Sequence, residues 1–306
     1  MRILAAIAAA AVLASAAPVS AQPAPTLLIN APPELAAARA RLESFDRSSL
    51  AGIVRMAGLD EPGPPIHVIL AGEDSAAAAS VSASTAGYAL SESGVIVLFP
   101  ARSPVYPHDT LEDVLRHEVA HVLISRAAHG YPVPRWFHEG VAVAAERPWG
   151  LEDQSRLWWQ LIAGPRATVG DIDRLFDAEP SRPRAYSLST AMVREMLRAY
   201  GATAPAAILR ELSTGAGFDA AVVGVTGRPM GAVEHAFWDR HRVWTAWVPL
   251  VTSGNALWLG VIVLAAFAVG HRRRRAAEVR RRWNDAEAAA VEPPRTRHDR
   301  TERDDD

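Results

Sequence analysis

Hydrophobic residues recur along this chain with two spacings, and the order in which the spacings appear predicts its architecture. Two short apolar runs, 66–70 and 94–99, are typical of buried strands. Apolar positions at helical spacing come before these runs, over 34–56, and dominate the chain after residue 110. The pattern therefore predicts an α+β protein, in which helices pack on a small N-terminal sheet and a helical C-terminal lobe follows.

The residues that bound the helical stretches after residue 110 support this assignment. Asp109 or Thr110 is the expected N-cap of a helix that reaches residues 125–128, and Asp113 gives an acidic variant of the capping box. Further helices are expected from Trp136 onward and over 149–162, 185–200, 204–212, 218–223 and 230–242. Residues 75–85, between the two strands, are compatible with a short helix or a loop.

The N-terminal residues are typical of a secretory leader. A positive start is followed by an apolar run over 3–17 and by small residues at 19–21, which predicts a signal peptide over 1–21. An uncleaved anchor helix is the alternative. Residues 22–33 are rich in Pro and Ala and are predicted to be a linker, after which a folded domain is expected over 34–245.

The C-terminal residues predict a membrane anchor. Residues 248–270 carry no charge and are long enough to cross a hydrocarbon core of about 30 Å as a single transmembrane helix. Arginines crowd the charged tail over 271–306, which by the positive-inside rule would remain in the cytoplasm. The expected location is therefore the cell membrane, with the folded domain outside the cytoplasm, on the periplasmic side.

Composition narrows the possible chemistry. The net charge of −2 argues against a nucleic-acid partner, because phosphate binding needs a basic surface. There are no cysteines, so disulfides and thiolate metal sites are excluded, and any metal must be bound by His, Asp or Glu. The oligomeric state is left open.

One segment has the spacing of a catalytic metal site. In His117-Glu118-Val119-Ala120-His121, two imidazoles lie four residues apart and share one face of the predicted helix. Both are expected to bind one zinc ion per chain, with Glu118 as the general base. Glu139, in the next predicted helix, can complete a three-ligand site that leaves one position open. Two histidines at the edge of a core helix are the structural alternative.

The residues around Glu139 add a family resemblance. The segment His117–His121, followed by Trp-Phe-His-Glu-Gly-Val-Ala over 136–142, resembles the gluzincin zinc metallopeptidases, and more specifically the peptidase MA-like domains of bacterial envelope proteins. The resemblance covers about 66–242 and implies that Glu139 is the third zinc ligand. It also implies a tyrosine or histidine that stabilises the oxyanion, for which Tyr186 is the candidate, with a merely packed tyrosine as the alternative.

Several positions depart from the family pattern. Seventeen residues separate His121 from Glu139, slightly fewer than in typical gluzincins. His138 and Glu146 compete as third ligands, although a structural role for His138 and a solvated role for Glu146 are the simpler expectations. Some gluzincins carry, one turn after the ligand Glu, a carboxylate that orients a histidine, and Val143 occupies that position here. Possible substitutes are Asp171 and Asp173, unless both belong to a charged loop.

These observations predict a membrane-anchored zinc metallopeptidase that hydrolyses a peptide or protein substrate outside the cytoplasmic membrane. The main alternative is a catalytically inactive zinc-binding scaffold, or a peptide-binding envelope protein. A third possibility is an envelope signalling protein whose Arg-rich tail contacts a cytoplasmic partner.

Overall fold

The computed structural model describes residues 23–146, 150–252, 258, 261–269 and 271–275. The predicted signal peptide and most of the predicted tail lie outside these residues. The chain separates into two compact units, of which the first ends at Trp244 and the second begins at Thr245. The description below concerns the first unit unless stated otherwise.

The sheet has four strands in the order β1-β2-β4-β3. The strands are β1 (Leu27–Asn30), β2 (Ile66–Leu70), β3 (Gly87–Leu90) and β4 (Val95–Leu98). β1, β2 and β4 run parallel, whereas β3 pairs antiparallel with β4 and forms an edge of the sheet. The two predicted strands are confirmed as β2 and β4.

Two strands were not predicted. β1 lies inside the range 22–33, so the expectation that this range is only a linker is wrong. Its four residues alternate between buried and exposed, and the nearby prolines hide so short a pattern. β3 consists of Gly-Tyr-Ala-Leu, which lacks the β-branched residues that favour strands.

The N-terminal helical segment is divided rather than continuous. Instead of one helix over 34–56, the structure has α1 (Ala36–Glu43) and α2 (Ala51–Ala57). Asp46 lies between them, and its side chain accepts a hydrogen bond from the backbone N–H of Ser48. Such a local bond competes with helical hydrogen bonding and starts a new turn. The apolar residues therefore keep helical spacing over the whole segment, although the helix is interrupted at Asp46.

The remaining helices follow the predicted order. They are α3 (Ala76–Ala79), α4 (Leu111–Ala127), α5 (Arg135–Glu146), α6 (Leu151–Ala163), α7 (Val169–Leu175), α8 (Arg182–Tyr200), α9 (Ala204–Ser213), α10 (Phe218–Thr226) and α11 (Met230–Thr252). Only α7 was not expected. Its seven residues begin at a capping box formed by Thr168 and Asp171, a local signal that the apolar spacing did not reveal.

Helix α4 lies at the centre of the fold. It packs on the strands β3 and β4 and on the helices α2, α5 and α9. Its side chains Leu115, Val119 and Leu123 are completely buried. Of the two predicted N-caps, Asp109 and Thr110, it is Thr110 that caps the helix and accepts a hydrogen bond from the backbone N–H of Asp113. The sheet and the helical lobe therefore meet along the helix that carries the two histidines.

The predicted transmembrane helix over 248–270 is wrong. Within the described residues, no helix combines the length and the apolar character that a membrane crossing requires. The first half of α11 carries charged residues, among them Glu234, Asp239 and Arg240. The residues 253–257, 259–260 and 270 of the predicted span lie outside the described part. The location in the cell membrane, which depended on this helix, is likewise wrong.

Candidate metal centre

Helix α4 places His117, Glu118 and His121 together as the sequence predicts. The two imidazole rings lie one turn apart, with their centroids 4.4 Å from each other and their planes nearly perpendicular. His117 and Glu118 are buried, while His121 keeps 13% of its side-chain surface exposed. Helix α4 therefore positions both rings and leaves the ring of His121 partly accessible.

Helix α5 brings Glu139 to these histidines. Its Oε2 atom lies 3.2 Å from Nε2 of His117 and 3.6 Å from Nε2 of His121. The first turn of α5 is held by Asp173, whose carboxylate oxygen accepts a hydrogen bond of 2.6 Å from the backbone N–H of Trp136. It also packs closely on α8 at Gly140, where no side chain would fit.

The three donor atoms fit a bound cation. Ligands placed 2.0–2.2 Å from a tetrahedral zinc ion lie about 3.3–3.6 Å from one another. The separations of Glu139 from the two histidines, 3.2 Å and 3.6 Å, are close to this range. Oε2 of Glu139 is buried and has no hydrogen-bond partner among the described residues, which is costly unless a cation or proton satisfies it. These buried His and Glu side chains could therefore hold a metal ion.

The charges within the group are strongly coupled. Burial opposes the charged form of His117, but its close contacts with the Glu139 and Glu146 carboxylates, together with the negative charge of Glu118, outweigh burial and raise the pKa of His117 to about 10. Burial likewise opposes the charged form of Glu139, yet His121 and His117 lower the pKa of Glu139 to about 2. In the metal-free protein, a proton on His117 thus takes the place that a cation would fill.

Glu118 has a different environment from the ligands. Burial, together with the negative charges of Glu139 and Glu146, raises its pKa to about 7, although His117 acts in the opposite direction. Its side chain lies beneath β3, where Gly87 leaves room for it: a Cβ atom at Gly87 would lie 3.3 Å from Cγ of Glu118. Glu118 is therefore a carboxyl group that can both take up and release a proton near neutral pH.

The two competing third ligands have other positions. His138 stacks on His121, with ring centroids 4.5 Å apart and an angle of 11° between the planes. Burial lowers the pKa of His138 to about 4, so the ring is neutral and acts as a packing partner. Glu146 is buried, so the solvated role expected for it is wrong. Its Oε2 lies behind His117, 3.6 Å from the Nδ1 atom that faces away from Glu139.

A second buried group therefore adjoins the first. His108, in the loop before α4, places its Nδ1 3.1 Å from the same Oε2 atom of Glu146. His108, His117 and Glu146 are all buried, and His117 belongs to both groups. Asp171 and Asp173, the possible substitutes for a carboxylate at position 143, do not orient a histidine ligand. Asp171 belongs to the capping box of α7, and Asp173 accepts a hydrogen bond from the first turn of α5.

Sequence reasoning missed His108 and undervalued Glu146. A signal for Glu146 was present, because it follows Glu139 by seven residues and so lies on the same face of α5. No local signal marked His108, which reaches the site through a loop.

A cleft opens in front of the metal group. It has a volume of about 510 Å³, and its walls are formed by β3, the loop at 105–108, the helices α4 and α5 and the start of α8. Tyr186 lines it, with its ring centroid 6.3 Å from that of His117 and 5.1 Å from that of Phe176. Burial raises the pKa of Tyr186, so its hydroxyl keeps its proton and can donate a hydrogen bond.

Comparison with known proteins adds no assignment. The chain matches no protein-family model, and no curated protein matches it. The resemblance to gluzincins therefore depends on the two segments 117–121 and 136–142 and remains a prediction.

Proposed function

We propose that this protein is a zinc-dependent peptidase in which His117, His121 and Glu139 hold the zinc ion. The observation that carries the proposal is the convergence of three metal-binding atoms at one wall of a cleft, beside a buried carboxyl group with a pKa near neutrality. Structural zinc sites are closed by four protein ligands, whereas three ligands and an accessible side are typical of catalytic sites.

The donor types favour zinc. Two imidazoles and one carboxylate form a ligand set of catalytic zinc peptidases, and Mg²⁺ or Ca²⁺ would favour oxygen donors instead. When bound, the ion supplies Lewis-acid activation of a water molecule and of the substrate carbonyl. His121 and Glu139 keep part of their side chains exposed, so the open side of the group faces the cleft.

Glu118 is the general base in this proposal. Its carboxylate takes a proton from the attacking water and then gives that proton to the leaving amine. A pKa of about 7 suits both transfers, because the ionised and the protonated forms are then close in free energy near neutral pH. The Tyr186 hydroxyl, also on the cleft wall, is the proposed donor to the oxyanion.

The cleft suits an extended peptide. Gly87, Tyr88 and Ala89 of β3 line it, and β3 is an edge among the described strands. A peptide can pair with such an edge through its backbone, which places one scissile bond near the metal group without requiring a particular side chain. This supports peptide or protein as the substrate class.

The test is hydrolysis of a broad peptide library by the zinc-loaded full chain and by Glu118→Gln. The variant should retain zinc and lose activity by about 10²-fold or more. Glu112→Gln is the matched control, since Glu112 lies on the same helix but pairs with Arg41 at the surface. Equal activity of wild type and Glu118→Gln would refute the role of Glu118. Zinc binding by an inactive wild type would favour the scaffold alternative.

A further inference from the structure

The side chains behind His117 form a continuous buried chain. Nδ1 of His108 and Nδ1 of His117 both face Oε2 of Glu146, at 3.1 Å and 3.6 Å. The Glu146 carboxylate is completely enclosed, and its second oxygen, Oε1, has no hydrogen-bond partner among the described residues. The rings of His108 and His117 also touch, with centroids 4.5 Å apart.

We infer that Glu146 and His108 are positioning residues for the metal ligand His117. This inference depends on the proposed metal site. A neutral imidazole has one N–H and one lone pair, so a proton held on Nδ1 leaves Nε2 as the metal-binding atom. Oε2 of Glu146 faces Nδ1 of His117 at 3.6 Å, and its negative charge favours the tautomer that carries the proton on Nδ1 and points the Nε2 lone pair towards Glu139.

His108 has a separate task. A carboxylate with only one donor can rotate, and His117 alone lies slightly beyond hydrogen-bond distance from it. The shorter bond from His108 fixes the oxygen that His117 faces. His108 lies in the loop before α4, and Glu146 is the last residue of α5. Both elements must therefore be folded before the ring of His117 is restricted to a single orientation.

This arrangement also explains the apolar residue at Val143. A carboxylate one turn after Glu139 is not needed, because Glu146, two turns after it on the same face, lies against His117. The loop that carries His108 supplies the donor that brings the more distant carboxylate into place.

A second metal ion is the competing interpretation, since His108, His117 and Glu146 could also bind a cation. It would require His117 to bind metal through both ring nitrogens. All three residues are buried, whereas His121 and Glu139 of the first group each keep 13% of the side-chain surface exposed. Hydrogen bonds explain the same geometry with one proton on each ring.

The experiment measures zinc affinity of the full chain by competition with a chromophoric chelator. Glu146→Gln and His108→Phe should each weaken binding by about 10- to 100-fold. His108→Asn retains an N–H donor at the position of Nδ1 and should restore most of the affinity. His67→Phe is a control, because His67 lies on an exposed strand position outside both groups.

Two further readouts separate positioning from a general loss of structure. The unfolding midpoint of each metal-free variant reports folding, and the visible absorption spectrum of the Co²⁺-substituted protein reports ligand geometry. The spectrum should change in His108→Phe and return towards the wild-type spectrum in His108→Asn.

The outcomes are distinguishable from failure of the proposed function. Unchanged zinc affinity and unchanged Co²⁺ spectra in Glu146→Gln and His108→Phe would overturn this inference while leaving the metal site intact. Two zinc ions in the wild type and one in His108→Phe would overturn it in favour of a second metal. A wild type that binds no zinc would refute the proposed function itself.

Discussion

Substitution of Gly140 by alanine tests the packing that holds Glu139 in place. An added Cβ would lie 2.6 Å from the backbone oxygen of Ser189 and 2.7 Å from Cγ2 of Val193, both on α8. These distances are about 0.8–0.9 Å short of an ordinary contact of 3.5 Å. The backbone oxygen cannot rotate away, so α5 and α8 must separate.

Two effects determine the size of the change. Overpacking of this kind costs about 1–3 kcal/mol. Alanine is favoured over glycine in a helix by about 1 kcal/mol, which offsets part of that cost. The free energy of unfolding should therefore fall by about 0–2 kcal/mol. Metal binding should weaken more clearly, because ligand distances are held within about 0.2 Å and Glu139 moves with α5.

Gly224→Ala is the matched comparison, since Gly224 lies within α10 and nothing would lie within 4 Å of an added Cβ. That variant should be up to about 1 kcal/mol more stable than wild type. Urea unfolding gives the stabilities, and calorimetric titration with Zn²⁺ gives the affinities. If Gly140→Ala were stabilised as much as Gly224→Ala and bound zinc as tightly as wild type, the reasoning would be refuted.

Two other predictions concern the start of α5 and the charge of His117. Asp173→Ala removes the acceptor of the Trp136 N–H and should lower the free energy of unfolding by about 0.5–2 kcal/mol. The control Asp177→Ala, at a largely exposed position, should change the free energy of unfolding by less than about 0.5 kcal/mol. Equal effects of the two substitutions in urea unfolding would contradict the capping role of Asp173. With its pKa raised to about 10, His117 should carry both ring protons at pH 8 in the metal-free protein, as ¹⁵N chemical shifts would show. Because the folded pKa exceeds the unfolded value of about 6.5, this contribution to stability is complete below about pH 6.5 and is lost as the pH rises towards 10; a neutral ring at pH 8 would contradict it.

The sequence was most informative where local rules and chemistry agree. Helix α4 has a capping threonine, a regular apolar face and two histidines one turn apart, so its limits and its pair of imidazoles were both predictable. Ligand chemistry made Glu139 a candidate third ligand, and the family resemblance favoured it over His138 and Glu146. Nothing local determines how α5 packs on α4, and that packing decides which carboxylate faces the histidines.

The features that sequence reasoning missed depend on tertiary contacts. His108 reaches Glu146 from a loop 38 residues away in the chain. The position of Glu146 near the end of its helix predicted a solvated side chain, whereas the structure buries that side chain completely. The length of the run at 248–270, its lack of charge and the arginines after it predict a membrane span, but no helix among the described residues has the required length and apolar character together.

Zinc stoichiometry of the full chain tests the central claim most directly. After loading and removal of free metal, the wild type should contain about one zinc ion per chain. His121→Ala should contain much less, because it removes a ligand on the accessible side of the group. His129→Ala, an exposed histidine outside both groups, should bind zinc as the wild type does. Equal zinc in His121→Ala and wild type, or no zinc in the wild type, would contradict the account.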